Sequence, residues 1–222
     1  LSYLVTCDPN ACEQGEGTTE RDNTACAAMR AAYPGKDGTE HTEAVAACLH
    51  WPGGVKWDSD VLARRMKLLS DFYGGCMAVV EANNFGSALM KDLKREGVAL
   101  YRRRKVDDSN PNKELKIDGY LSTGKSREWW VQAAAKAIRE KALRCRYQPA
   151  CNEFQTFILA PSGKAEAVAG SHDDWVACLS IGLVTQCYSP YPRRQSIADR
   201  SWQAGGWGRA EVTTNHHFGS GA

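Results

Sequence analysis

The chain has 222 residues, with 28 basic and 26 acidic side chains and a net charge of +2. That length allows one domain, or one domain with a tail, and an apolar share of 43% is enough to fill a core. No apolar run approaches the roughly 18 residues that a membrane-spanning helix needs, and a near-neutral balance by itself argues neither for nor against a nucleic-acid partner. Of the 9 cysteines none forms a CxxC pair, and the histidines are scattered, which excludes a zinc site of ordinary ligand spacing. Cys7, Cys26, Cys48, Cys76 and Cys178 lie inside apolar runs and read as reduced core thiols of a cytosolic protein. The chain opens on LSYLVTC with neither Met nor a signal-peptide pattern, which suggests a piece of a longer protein or a processed one.

In chain order, SYLVTC (2–7) reads as a buried strand, and residues 9–23, rich in Gly, Glu and Thr, as a loop. TACAAMRAAY and TEAVAACLHW read as two further strands joined by the PGKDG turn (34–38), completing an antiparallel meander. A helix follows in WDSDVLARRMKLLSDFYGG, with Asp58 or Ser59 as N-cap, Val61, Leu62, Met66, Leu69 and Phe72 at helical spacing, and Gly74–Gly75 as the stop. CMAVVEA (76–82) is apolar throughout, as a central strand buried on both faces should be. A second helix is expected over 86–96 and another strand in GVALYRR. Residues 107–127 are polar and loop-like, 128–144 form an Ala-rich helix, EFQTFIL and KAEAVAG pair as a hairpin around PSG, and 173–186 is the last helix. After Tyr188 the composition shifts to Pro, Gly, Arg and Trp, so the predicted division is a domain over 1–188 and a tail over 189–222. A three-strand meander, then alternating helix and strand, then a late helix is the order of an α/β, ribonuclease H-like fold with a mixed central sheet flanked by helices.

Three acidic segments stand out against this order. Asp8 and Glu81 each end an apolar strand, and the pair Asp173–Asp174 precedes an apolar helix. Gathering carboxylates is costly unless a divalent cation neutralises them, and three at the ends of core elements suggest a two-metal site for phosphodiester chemistry. In the expected fold the first and fourth strands are neighbours, and the first turn of the last helix faces their ends. Each acid alone has a plainer reading: a DPN turn for Asp8, a surface acid for Glu81, helix capping for the aspartate pair. His172 reads as a surface residue beside the helix start or as a phosphate contact. The acid-rich loop adds Glu13, Glu16 and Asp22 as possible further ligands.

The runs VVEANNFGSALMKDL, GYLSTGKSREWW, NEFQTFI and GKAEAVAGSHDDWVACLSIGL, in this order over about residues 1–185, resemble the C-terminal nuclease domain of tailed-bacteriophage large terminase subunits. The resemblance implies a metal-dependent endonuclease that cuts double-stranded concatemeric viral DNA during genome packaging, with two ions of Mg2+ or Mn2+ as cofactor. It maps the catalytic acids onto Asp8, Glu81 and Asp174, with Asp173 as an auxiliary metal ligand or cap. It also implies an N-terminal ATPase motor domain in the full-length protein, the small terminase subunit and the portal as partners, and the host cell cytoplasm as location. Arg102, Arg103, Arg104, Lys105, Lys125 and Arg127 are the expected phosphate contacts, giving affinity without sequence preference. A junction-resolving or recombination nuclease of the same fold, and an inactive docking module, are the alternatives. GYLSTGKS (119–126) also matches the phosphate-loop pattern, but the polar NPNKELKID before it lacks the core strand that such a loop needs.

Overall fold

The computed structural model describes residues 3–9, 23–34, 40–51, 58–83, 85–107 and 110–186. A five-stranded sheet runs in the order β4-β1-β2-β3-β7. Its members are β1 (Tyr3–Asp8), β2 (Thr24–Pro34), β3 (Glu40–Trp51), β4 (Met77–Val80) and β7 (Leu143–Cys145). The meander β1–β2–β3 is antiparallel, and β4 joins β1 in parallel, with Leu4 opposite Met77 and Cys7 opposite Val80. This is the expected mixed, ribonuclease H-like sheet, with the first and fourth strands side by side. Beyond β4 the GVALYRR segment contributes one parallel bridge, Leu100 to Ala78, rather than a full strand.

Side-chain alternation divides the core in two. Val5 and Cys7 of β1 and Ala78 and Val80 of β4 pack with α1 (Ser59–Phe72) and α2 (Gly86–Arg95). Leu4 and the β4 residues Met77 and Val79 face the other way, toward α3 (Gly124–Arg139), α4 (Gln148–Thr156) and α5 (Asp174–Thr185). Helix α5 is apolar on every side and buried along almost its whole length. It lies close on the sheet: a Cβ on Gly182 would sit 3.2 Å from Cγ2 of Thr6 and 2.3 Å from the Met29 sulfur. The Thr6 hydroxyl donates to the Cys178 carbonyl at 2.7 Å, fixing the helix against β1. Cys7, Cys26, Cys76 and Cys178 are buried free thiols, as expected; the side chain of Cys48 lies outside the described residues.

Three expectations are corrected. Part of the supposed loop over 107–127 is β6 (Asn110–Asp118), which forms a hairpin with β5 (Arg102–Asp107); its alternating KELKID pattern suits a two-stranded ribbon outside the core. Helix α3 begins at Gly124 because Thr123 and Ser126 form a reciprocal capping box, and it stops at Arg139 where Lys141 turns left-handed (φ 55°). That early stop frees Leu143–Cys145 to add a strand beside β3. The EFQT stretch belongs to α4, with Pro149 in its first turn, so only β8 (Phe157–Leu159) and β9 (Ala165–Ala167) make the hairpin around PSG. Among the described residues no helix is long and apolar enough to cross a membrane. The acid-rich loop, the PGKDG turn and the tail beyond 186 lie outside the described residues.

Candidate active site

The alternation that sorts the core also aims the acids. Leu4 and Thr6 face α5, so Asp8, two residues further on, leaves the strand end on that same face. Met77 and Val79 do likewise, and Glu81 follows them. Parallel pairing of β1 with β4 sets these ends level: the Glu81 amide donates to the Cys7 carbonyl at 3.0 Å. The Asp8 and Glu81 carboxyls are thereby brought close enough to act on each other. Burial pushes the Asp8 carboxyl well above its usual range, and the neighbouring charges of Glu81, Asp174 and Asp173 push it further. Crowding of like charges in this way is what a divalent cation would relieve.

Glu81 is held from two sides. The Asn83 amide reaches its Oε1 at 3.3 Å, and the backbone on either side pairs with the chain entering α3, Tyr120 donating to Val80 and Ala82 donating to Tyr120. Gly86, opening α2, packs directly on the Glu81 carbonyl; a Cβ there would lie 1.8 Å from that oxygen.

Asp174 opens α5 and is buried. Its Oδ2 accepts from both the backbone and the side-chain amide of Asn23, each at 3.0 Å, and lies 3.8 Å from Nδ1 of His172. Asp173, at the N-cap position, makes no capping bond; it pairs with Arg127. The capping is done by Glu153 of α4, whose Oε2 accepts from the amides of Trp175 at 2.6 Å and Val176 at 3.3 Å. Burial raises the Glu153 carboxyl to about 7, with Asp174 and Asp173 adding to the rise and the two amides opposing it.

The structure therefore brings together Asp8 and Glu81 directly and places Asp174 and Asp173 where their charges act on Asp8. Among the described residues no group of three His, Cys, Asp or Glu side chains converges as a ready-made ion site. The donor chemistry nonetheless suits a hard divalent cation: carboxylate oxygens crowded at the ends of two strands and the start of a helix. Glu13, Glu16 and Asp22 lie outside the described residues.

The basic residues divide. Arg102 is exposed and donates to Asp118 at 3.1 Å, and Arg103 is half-buried, reaching the Gly119 carbonyl at 3.3 Å. Arg104 is exposed on the same strand, and Lys125 at the start of α3; the Lys105 side chain lies outside the described residues. Arg127 faces inward, over the rings of Trp130 and Phe157 and against Asp173. Sequence reading did not single out Asn23 or Glu153. Each bonds across more than twenty residues, and neither residue type announces such a partner.

No protein-family model matches the sequence, and no curated protein matches it. Solved structures do. The large terminase nuclease of thermophilic phage G20c with bound magnesium is similar with a TM-score of 0.53 and 15% identity, over 82% of this chain and 80% of that one. The same nuclease with bound cobalt gives the same values. The large terminase nuclease domain of Thermus phage P74-26 is similar with a TM-score of 0.52 and 15% identity, over 83% of this chain and 79% of that one. The chain thus has the fold of the large terminase nuclease domains.

Proposed function

We propose that this chain is a divalent-metal-dependent endonuclease, the domain of a large terminase that cuts double-stranded concatemeric DNA during genome packaging. The observation that carries this reading is the meeting of Asp8 and Glu81 at the level ends of two parallel strands, with Asp174 opening the helix that packs across them. Likeness in fold to phage terminase nucleases, one of them solved with bound magnesium and with bound cobalt, supports it.

Two Mg2+ or Mn2+ ions, when bound, supply neutralisation of the acids, activation of the attacking water and relief of charge on the leaving oxygen. Asp8, Glu81 and Asp174 are the residues that would hold them. The exposed Arg102, Arg104 and Lys125 offer charge to the DNA backbone, which gives affinity without sequence preference. Within this reading the domain works with an ATPase motor in the same protein, with the small subunit and portal as further partners, in the host cytoplasm.

The test is plasmid nicking and linearisation in Mn2+, Mg2+ or EDTA, comparing the parent with Asp8→Ala, Glu81→Ala and Asp174→Ala. Cutting that needs the metal and disappears in all three variants is expected. Cutting that survives in the variants sinks the site, and a folded parent inert in every metal sinks the enzyme reading.

A further inference from the structure

We propose that Glu153 and Arg127 act together as positioning residues that aim Asp174 at the metal site, with Asp173 diverted from it. The inference rests on the nuclease reading and deepens it.

The first turn of α5 poses a problem in local chemistry. Its leading amides need acceptors, and two adjacent aspartates are available to satisfy them. If Asp173 capped the helix in the ordinary way, the geometry of the turn would be set locally, with no tie to the rest of the site. The structure uses neither aspartate. Glu153 reaches in from α4, 22 residues away in sequence, and takes the amides of Trp175 and Val176 on one oxygen. Those are the two residues that follow Asp174, so the carboxylate fixes the backbone from which Asp174 projects. Glu153 is anchored in turn: Tyr147, just before α4, packs edge-on against Trp175 with ring centroids 5.0 Å apart.

Arg127 holds the other side. Its guanidinium lies 5.1 Å from the ring centre of Trp130 and 5.8 Å from that of Phe157, donates to the Ala165 carbonyl through Nε at 3.4 Å and Nη2 at 3.5 Å, and binds Asp173. Trp130 is fully buried, so this seat is rigid. An arginine so engaged is poorly placed to meet DNA; its charge instead neutralises the aspartate next to Asp174. The division of labour among neighbouring acids is then set by partners: Asp173 to Arg127, the helix amides to Glu153, and Asp174 toward Asn23 and the Asp8–Glu81 pair. Partners that orient a metal ligand are typically worth about 10- to 100-fold in metal affinity.

The experiment measures Mn2+ affinity by calorimetry without DNA, together with metal-free melting, for the parent, Glu153→Ala, Glu153→Gln and Arg127→Ala. Ser70→Ala serves as the stability control: its hydroxyl bonds the Cys76 carbonyl at 2.6 Å in the loop that follows α1. Glu153→Ala and Arg127→Ala are expected to weaken Mn2+ binding about 10-fold or more. Glu153→Gln, whose amide oxygen can accept the same two bonds, restores most of that affinity, and Ser70→Ala lowers the melting temperature without moving it. If Glu153→Ala does not fold, Glu153→Asp, too short to reach both amides, takes its place with the same expectation. Mn2+ affinity unchanged in the Glu153 and Arg127 variants, or falling equally in Ser70→Ala, overturns the positioning role and leaves the nuclease reading standing. A folded parent that binds no Mn2+ overturns both.

Discussion

Gly86 offers a direct way to move Glu81 without touching its carboxylate. The residue opens α2, and a Cβ built on it would meet the Glu81 carbonyl oxygen at 1.8 Å and the carbonyl carbon at 2.9 Å. Ordinary contact begins near 3.4 Å, so Gly86→Ala forces these two backbones apart by about 1.5 Å. Overpacking of this kind costs about 1–3 kcal/mol, against which alanine in a helix returns up to about 1 kcal/mol. The expected net loss is about 1–2 kcal/mol, a fall of roughly 3–6 °C in melting temperature for a domain of this size. Activity should fall further than stability, because misplacing a catalytic group by about 1 Å can cost on the order of 100-fold. Gly124→Ala is the matched control: Gly124 also opens a helix, its φ is not left-handed, and nothing lies within 4 Å of the added Cβ. It should be neutral or stabilising by up to about 1 kcal/mol. Scanning calorimetry and Mn2+-dependent nicking, run on both variants, decide the matter. If Gly86→Ala nicks at the parental rate with an unchanged melting temperature, the contact does not position Glu81 and the reasoning fails.

Asp8→Asn should stabilise the metal-free protein at neutral pH. The folded-state carboxyl is raised above its unfolded value near 3.9, so the stability it contributes is full below that value and is lost as the pH rises through the folded-state value. The gain of the variant over the parent should therefore vanish below about pH 4 in a pH series of thermal melts, and added Mn2+ should stabilise the parent alone. Trp130→Ala, at a fully buried site, should cost about 3–5 kcal/mol by urea denaturation, whereas Trp129→Ala, half exposed, should cost far less. ATP added to Mg2+ should leave the melting temperature at its value with Mg2+ alone, in the parent and in Lys125→Ala alike.

What could be read from the sequence was set by how local the cause was. The strands β1 and β4 were legible because a strand buried on both faces must be apolar at every position, and period-two alternation then dictates which face Asp8 and Glu81 share. Helix α5 was legible for the same reason: no charged residue interrupts it after Asp174, and its polar members, Ser180 and Thr185, are small. The β5–β6 hairpin was not, because a ribbon outside the core carries no burial signal, and KELKID is as polar as a loop. The start of α3 was missed by taking residues 107–127 as one polar, loop-like stretch, although Thr123 followed three residues later by Ser126, which bonds back, is a helix-opening pattern. The partners of the acids were beyond reach. That Arg127 answers Asp173, or Glu153 the amides after Asp174, depends on how α3 and α4 dock, and docking leaves no mark in the spacing of charges.

The phosphate-loop pattern shows how far residue types alone can mislead. Gly119 to Ser126 satisfies it at every position, and the structure even supplies a strand before and a helix after. A phosphate cradle, however, requires backbone amides with no other acceptor and a hydroxyl available to a cation. Here the Gly119 amide donates to Tyr101 and the Tyr120 amide to Val80, each at 2.8 Å, as the chain pairs alongside β4. The Thr123 amide donates to the Ser126 hydroxyl at 2.7 Å, and that hydroxyl in turn reaches the Leu121 carbonyl at 2.8 Å. The segment builds the wall of the acid site: besides the Tyr120 amide donating to Val80, the Tyr120 carbonyl accepts from the Ala82 amide, one residue past Glu81. A motif is a list of residues that could face a ligand; the hydrogen-bond account decides which of them still can. By that account Gly119, Tyr120, Thr123 and Ser126 are engaged within the fold, and the stretch supports the backbone on either side of Glu81.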